Sequence, residues 1–143
     1  MTVLKSVCAI VVRRGDELQF LLLHRKLHWS GWEFAKGALE AEESDEQAVM
    51  RELAEETGSD LYRIIRKVPY TVEYEYDEEH QRRIRGRFSG VSQSVFLVEF
   101  LGDKIEPNGV EHDGFTWVTA EKVESLLKWE DQKKAFRVAL GLL

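Results

Sequence analysis

The segment from Ser44 to Gly58 constrains the fold most strongly, because it carries signals for both ends of a helix. Ser44 and Gln47 match the S-x-x-Q capping box, in which two side chains bind free backbone N–H groups of the first turn. Gly58 stands where a left-handed C-terminal cap is expected. The spacing therefore predicts a helix over residues 45–57.

At 100° per residue, this helix separates its side chains into an acidic side and a packing side. The first contains Ala48, Glu52, Glu55 and Glu56, and the second contains Met50, Leu53 and Thr57. Repulsion among neighbouring carboxylates costs a few tenths of a kcal/mol per pair (~0.2–0.5). A divalent cation reverses that cost, because Mg²⁺ prefers carboxylate oxygens. A metal site and a solvated acidic face both remain open on this evidence alone.

The rest of the chain predicts an α+β fold. Apolar or alternating β-branched and aromatic runs indicate strands at 3–13, 19–24, 66–76, 92–100 and 114–118. Further helices are expected from about residue 120 and over 131–140. Strands and helices do not alternate regularly enough for a doubly wound parallel sheet, so a sheet layered with helices is favoured.

Composition limits the functional classes. With 143 residues, 43% of them apolar, the chain is expected to form one domain over 1–143. Cys8 is its single cysteine and lies in an apolar run, which predicts a buried thiol, no intrachain disulfide and a cytoplasmic location. No segment reads as an export signal or a membrane span. The oligomeric state is expected to be a monomer or a homodimer.

Charge is unevenly distributed along the chain. The net charge of −6 argues against general nucleic-acid binding. Residues 40–56 are strongly acidic, whereas the stretch "RRIRGR" over 82–87 is strongly basic. Such a pairing suits an acidic metal site facing a phosphate-binding region, although the arginines could equally form a solvated hairpin tip.

The spacing around the predicted helix resembles the Nudix box. The pattern is Gly, five residues, Glu, seven residues, then Arg-Glu-apolar-x-Glu-Glu-x-Gly. Only Ser59 departs, since the family usually has a large apolar residue there. The matching positions are Gly37, Glu43, Arg51, Glu52, Leu53, Glu55, Glu56 and Gly58.

The resemblance implies a Nudix fold, with a mixed β-sheet between α-helices, and a hydrolase that uses Mg²⁺ or Mn²⁺ on nucleoside diphosphate derivatives. It implies that Glu52, Glu55 and Glu56 are metal ligands, and that Glu55 or Glu56 also accepts a proton from water. Glu43 and Arg51 are interpreted as an ion-paired scaffold for these carboxylates. The Gly37 carbonyl is a further candidate metal ligand.

Two outer motifs are similar to those of asymmetric diadenosine tetraphosphate hydrolases. "WEFAKGALE" resembles their W-x-x-P-K-G-x-x-E motif, with Ala35 in place of proline, and "EHDGFTW" resembles their E-H-x-x-x-x-W segment. That branch implies that Glu111 lies near the metals and that the substrate is cut asymmetrically to ATP and AMP. These motifs are loosely shared with other Nudix enzymes.

Substrate contacts are predicted for cationic and flat side chains, each of which also has an ordinary structural interpretation. A polyphosphate chain needs positive charge along it, and purines need surfaces for stacking. Alternative functions are a pyrophosphohydrolase for oxidised nucleotides, one for the 5′ triphosphate of RNA, and a nucleotide-binding module without activity. The predicted substrate-binding residues are Lys36, Trp32, Tyr74, Tyr76, Arg85, Arg87 and His112.

Overall fold

The structure, a computed structural model, describes residues 2–83 and 85–143. Its strands are β1 (Val3–Arg13), β2 (Gln19–Arg25), β3 (Gly31–Glu33), β4 (Ala35–Ala38), β5 (Tyr62–Glu75), β6 (Gly90–Phe100) and β7 (His112–Val118). Its helices are α1 (Asp45–Thr57), α2 (Glu78–Arg83), α3 (Ala120–Leu126) and α4 (Glu130–Leu140). Within the described ranges, no helix has the length and apolar content required to cross a bilayer.

The strands form one mixed sheet with the order β3-β2-β1-β6-β5. Strands β1 and β6 run parallel over ten residue pairs, from Val3↔Gly90 to Val12↔Glu99. The other pairings are antiparallel, and two short additions complete the sheet: β4 pairs with β1, and β7 pairs with β2. This topology pairs the end of β4 at Ala38 with Ser6 near the start of β1, and residues 39–44 then lead into α1.

Apolar side chains on the two faces of the sheet form two separate cores, because successive residues of a strand point to opposite faces. One core includes Cys8, Ile10 and Val12 of β1 and is covered by α3 and α4. The other includes Val7, Ala9 and Val11 and is covered by α1. The sheet thus lies between helices, and the predicted α+β class and layered sandwich are confirmed.

Several element boundaries differ from the prediction. Strand β5 begins at Tyr62, earlier than expected, because register shifts around Pro69 break the regular alternation of its side chains. It ends at Glu75, so Tyr76 lies beyond it. Strands β3 and β4 are too short to show a period. Helix α2 was also not predicted, since none of its residues is buried and it therefore has no apolar face.

Candidate active site

The two predicted caps set the position of helix α1. The Gln47 backbone N–H donates to the Ser44 hydroxyl over 3.1 Å, and the Ser44 N–H donates to the Gln47 side chain over 2.9 Å. Gly58 adopts a left-handed conformation with φ 71°. The predicted bounds of the helix are therefore confirmed at both ends.

The predicted separation of the faces of α1 is wrong at two positions. Ala48 belongs to the core that α1 covers, and Glu56 is buried on that side of the helix with only 2% of its surface exposed. Glu55, by contrast, is exposed to solvent. Glu56 therefore enters the protein interior, where a charged carboxylate is costly unless it is paired or coordinates a metal.

Arg51 organises the acidic residues around it. Its Nε and Nη2 atoms donate to the two Glu43 carboxylate oxygens over 2.7 and 2.9 Å. Its Nη1 donates to Glu52 over 2.8 Å and to Glu55 over 3.3 Å, and Nη2 also reaches the Ala38 carbonyl at 2.8 Å. One guanidinium fork therefore ties the loop before α1 to three carboxylates, as expected for the predicted scaffold.

The pKa values of these groups follow from their contacts. Hydrogen bonds from Arg51, and then from the Glu40 backbone, lower the pKa of Glu43 to about 2. Hydrogen bonds to Glu43 and Glu52 raise the pKa of Arg51, so it stays charged. Burial raises the pKa of Glu52 even though Arg51 opposes this effect. Glu43 is therefore ionised at neutral pH, whereas Glu52 has a stronger affinity for a proton or a cation.

Gly37 makes room for the Glu52 carboxylate. A Cβ atom added at Gly37 would lie 2.0 Å from the Glu52 Cδ atom, well inside contact distance. The Gly37 carbonyl accepts a hydrogen bond from the Ser6 hydroxyl over 2.8 Å, and the Gln93 amide in turn donates to that hydroxyl over 3.2 Å. The glycine is thus required by close approach of a side chain, while its carbonyl is oriented by β1.

Glu56 is only partly satisfied by hydrogen bonding. One of its oxygens accepts from the Lys36 backbone N–H over 3.2 Å, but Oε1 is buried with no partner among the described residues. Burial raises the pKa of Glu56 well above its ordinary value, and the charges of Glu52, Glu111 and Glu33 raise it further. A buried, unpaired carboxylate oxygen next to other acids is the arrangement that a divalent cation stabilises.

Glu33 and Arg25 complete a buried network that the sequence reasoning missed. Glu33 is fully buried, and its Oε2 atom accepts from Arg25 over 3.0 Å and from the His112 Nε2 atom over 2.7 Å. Burial alone would raise the Glu33 pKa, but the His112 hydrogen bond and the charges of Lys36 and Arg25 lower it overall. A glutamate between two aromatic residues in "WEF" was the only available signal, and no spacing rule connects it to His112.

Glu111 and His112 reach the site from the start of β7. The Asn108 side chain accepts from the backbone N–H groups of Val110 and Glu111, which forms a tight turn before the strand. His112 then pairs with Arg25 across a register shift in β2. One oxygen each of Glu56 and Glu111 and one ring nitrogen of His112 lie within 4.8 Å of one another.

The donors at the site suit a divalent cation. Glu56 and Glu111 offer carboxylate oxygens, and the buried Glu56 Oε1 has no other partner among residues 2–83 and 85–143. Glu52 is close enough to affect the Glu56 pKa, whereas Glu55 points to solvent and contacts Arg51. The structure therefore groups Glu56 and Glu111 in the interior, whereas Glu55 stays on the exposed surface of α1.

The predicted substrate-binding residues lie at different places on the sheet. Lys36 lies at the acidic site, with its Nζ atom 3.7 Å from Glu33. Trp32 on β3 is half-buried against the core and contacts the His24 ring at 4.9 Å. Tyr74 is on β5, at the opposite edge, four strand spacings or roughly 19 Å away. Trp32 and Tyr74 therefore cannot contact the same base.

The other predicted contact residues, apart from His112, lie at the end of β5 or in the segment that follows it. The Tyr74 and Tyr76 rings lie 6.1 Å apart, and Tyr76 stacks on His80 at 4.1 Å. Arg85 and Arg87 are exposed, and neither forms an ion pair within the described parts of the chain. His112, in contrast, is buried in the network with Glu33 and does not present a surface to substrate.

Comparison with known proteins identifies the family. A model of the NUDIX domain matches residues 3–139, which is nearly the whole chain. The chain belongs to the NUDIX family. Its Nudix box, its mixed sheet and the acidic helix α1 are therefore features of one fold, and the predicted family resemblance is confirmed.

Similar proteins include NUDIX hydrolases of more than one type. An RNA pyrophosphohydrolase of Erythrobacter litoralis is 35% identical over 104 residues, covering 67% of this chain and 63% of that protein. Another, from Zymomonas mobilis, is 28% identical over 131 residues, covering 86% and 84%. This chain thus spans less than two thirds of the length of the Erythrobacter relative.

A solved structure with the same fold is a C. elegans Ap4A hydrolase binary complex. It has a TM-score of 0.81 and 20% identity, with coverage of 98% of this chain and 97% of that one. At this identity the likeness shows the fold alone. The NUDIX match and the hydrolase relatives support assignment of the chain as a hydrolase enzyme, while the individual roles of its site residues stay predictions.

Proposed function

We propose that this NUDIX protein is a divalent-cation-dependent hydrolase that cleaves a phosphoanhydride bond in a nucleoside 5′-polyphosphate. The observation that carries the proposal is the buried Glu56 carboxylate, held beside Glu52 and Glu111 with one oxygen unpaired among the described residues. Uncompensated carboxylates at such close range destabilise a fold, so their arrangement favours a function that requires bound cations.

The chemistry divides between the cation and the protein. When bound, a divalent cation neutralises charge on the phosphate oxygens and lowers the pKa of the attacking water. Glu56 or Glu55 accepts the proton of that water as its oxygen attacks phosphorus and the bridging P–O bond breaks. Lys36 provides positive charge next to the acids for the phosphate chain.

The first candidate substrate is RNA with a 5′ triphosphate, from which hydrolysis removes pyrophosphate and leaves a 5′ monophosphate. Relatives at 28 and 35% identity are named RNA pyrophosphohydrolases. The surface beyond β5 also suits a nucleic-acid strand. Residues 80–88 contain four arginines and no acid. Arg82 and Arg85 line an open depression together with Glu78, Gln81 and Gly86. Exposed arginines can bind backbone phosphates, while Tyr74 offers a ring for stacking.

A second basic and aromatic surface lies around Trp29 and Trp129. Trp29 and Trp129 pack edge to face at 5.9 Å, and the Lys128 ammonium lies 5.4 and 4.8 Å from their rings. Like the surface beyond β5, it combines positive charge with aromatic rings, which are the features that bind single-stranded nucleic acid.

The second candidate substrate is diadenosine tetraphosphate, cleaved asymmetrically to ATP and AMP. It is supported by the two outer motifs and by the wide separation of Trp32 and Tyr74, which suits a ligand with a purine at each end. Both candidates leave a nucleoside 5′-monophosphate end. The same attack on an α–β phosphoanhydride would therefore serve either substrate.

Product chromatography distinguishes these functions. The purified protein would be incubated with Mg²⁺ or Mn²⁺ and a panel of 5′-triphosphate RNA, diadenosine tetraphosphate and oxidised deoxynucleoside triphosphates. We expect 5′-triphosphate RNA to be hydrolysed with the highest kcat/KM and to release pyrophosphate. A higher kcat/KM for diadenosine tetraphosphate, with ATP and AMP as products, would establish the second candidate. Formation of two ADP molecules from diadenosine tetraphosphate would contradict the asymmetric cut. The absence of metal-dependent products from every substrate would instead favour the non-catalytic binding module.

Arginine variants test the RNA surface. The double change Arg85→Ala and Arg87→Ala should raise KM for 5′-triphosphate RNA roughly tenfold at low salt, because two exposed phosphate contacts contribute up to about 1 kcal/mol each. Arg66→Ala is the matched control, since Arg66 is also exposed on β5 but lies opposite Leu97, about 20 Å along the strand from Tyr74. An equal increase in KM for 5′-triphosphate RNA and for the deoxynucleoside triphosphates would mean that the arginines contact the 5′ phosphates and not the RNA strand.

A further inference from the structure

The His112 imidazole presents an unused nitrogen to the acidic site. His112 is fully buried, and its Nδ1 atom has no hydrogen-bond partner among the described residues. That nitrogen lies 3.7 Å from Glu56 Oε1, which is also buried and unpartnered. The distance is too long for a hydrogen bond, so two buried polar atoms face each other without satisfying either one.

The other ring nitrogen determines what Nδ1 can do. His112 Nε2 lies 2.7 Å from Glu33 Oε2, an oxygen that also accepts from Arg25 at 3.0 Å. An ionised Glu33 can only accept hydrogen bonds, so Nε2 carries the proton. In the neutral ring Nδ1 then keeps a free lone pair, and this nitrogen lies 3.7 Å from Glu56 Oε1. Histidines that bind metals usually have this arrangement, with the second nitrogen donating to a carboxylate.

We propose that His112 is a metal ligand through Nδ1, together with Glu56 and Glu111, and that Glu33 is the positioning residue that orients its ring. Donor atoms about 2.1 Å from one ion can lie up to about 4.2 Å apart. The His112–Glu56 separation of 3.7 Å is within this limit. The three donors lie within 4.8 Å of one another, and the half-exposed Glu111 has freedom to close the remaining difference.

A nitrogen donor changes which cation the site prefers. Mg²⁺ takes oxygen ligands almost exclusively, whereas imidazole suits first-row transition ions. The site is therefore expected to bind Mn²⁺ more tightly than Mg²⁺. This inference deepens the proposed function, because the ion is the one that the hydrolase would use.

Electron paramagnetic resonance of bound Mn²⁺ tests the assignment without using activity. The spin-echo spectrum of the wild-type protein with Mn²⁺ should show coupling to ¹⁴N, and labelling with ¹⁵N-histidine should convert it to ¹⁵N coupling. The chain has four histidines, so variants are needed to identify the ligand. His112→Gln should remove the coupling and weaken Mn²⁺ binding about 10- to 100-fold, with a much smaller change for Mg²⁺.

His24→Gln is the matched control, because His24 Nδ1 is already paired with Asp113 at 2.7 Å, outside the acidic group. It should retain the nitrogen coupling. A wild-type spectrum without nitrogen coupling, or one that persists in His112→Gln, would overturn the assignment. If His112→Gln fails to fold, the three variants His24→Gln, His28→Gln and His80→Gln identify the ligand by exclusion, since each should retain the coupling. Coupling in a protein that hydrolyses no nucleotide would leave the ligand assignment intact and refute the proposed function alone.

Discussion

Replacing Gly37 with alanine would put a methyl group where the Glu52 carboxylate now lies. The new Cβ atom would be 2.0 Å from Glu52 Cδ, and ordinary contacts begin at 3.4 Å, so the carboxylate must move by about 1.4 Å. The backbone of Gly37 is not in the left-handed region, so alanine at this position would cause no backbone strain. The cost therefore comes from overpacking, at about 1–3 kcal/mol, and from weakening of the 2.8 Å bond between Arg51 and Glu52.

Because Glu52 retains some solvent contact, we expect a total destabilisation of about 2 kcal/mol. This corresponds to a fall in Tm of roughly 5–10 °C. Displacement of a predicted metal ligand should reduce kcat/KM at least about 100-fold. Thermal unfolding followed by circular dichroism would measure the first effect, and product release at saturating Mg²⁺ or Mn²⁺ would measure the second.

A double-mutant cycle tests the reason for these losses. In a Glu52→Ala background the obstructing carboxylate is absent, so Gly37→Ala should cost at least about 1 kcal/mol less than in the wild type. Gly114→Ala is the control for stability, because its Cβ atom would lie 3.7 Å from the nearest atom, an ordinary contact. If Gly37→Ala destabilises the protein equally in both backgrounds, the clash with Glu52 is refuted. If Gly37→Ala turns over substrate at the wild-type rate, the present position of the Glu52 carboxylate is not required for activity.

Three further predictions concern the acidic helix and its scaffold. Glu55→Gln or Glu56→Gln should lower metal-dependent turnover at least about 100-fold with little change in unfolding, and normal turnover by both variants would exclude catalysis by this helix. Arg51→Ala should lower stability by about 2–3 kcal/mol as well as activity, because it leaves several partly buried carboxylates unpaired; reduced activity at unchanged Tm would mean that Arg51 acts on substrate instead. The lowered pKa of Glu43 means that its contribution to stability is present above its ordinary value of 4.5 and is lost as pH falls through about 2. The Tm difference between wild type and Glu43→Gln should therefore be largest at neutral pH and shrink steadily as pH falls from 4.5 towards 2. A constant difference across a pH series would contradict this.

The sequence by itself determined the features that depend on neighbours along the chain. Capping signals at Ser44 and Gly58 predicted both ends of α1, because caps act on backbone groups within one turn. The spacing from Gly37 to Glu56 predicted the family and the acidic residues. It also indicated the pairing of Glu43 with Arg51, since only seven residues of loop and helix separate them.

Only the tertiary structure decided which carboxylates are buried and what they face. Glu55 and Glu56 are adjacent and chemically identical, yet Glu55 is exposed and Glu56 is 2% exposed, because the sheet covers one side of α1. The network of Glu33, Arg25 and His112 joins β3, β2 and β7, which are separated by up to 87 positions in the chain. Burial and long-range contact depend on how the elements pack, and residue spacing carries no direct record of either.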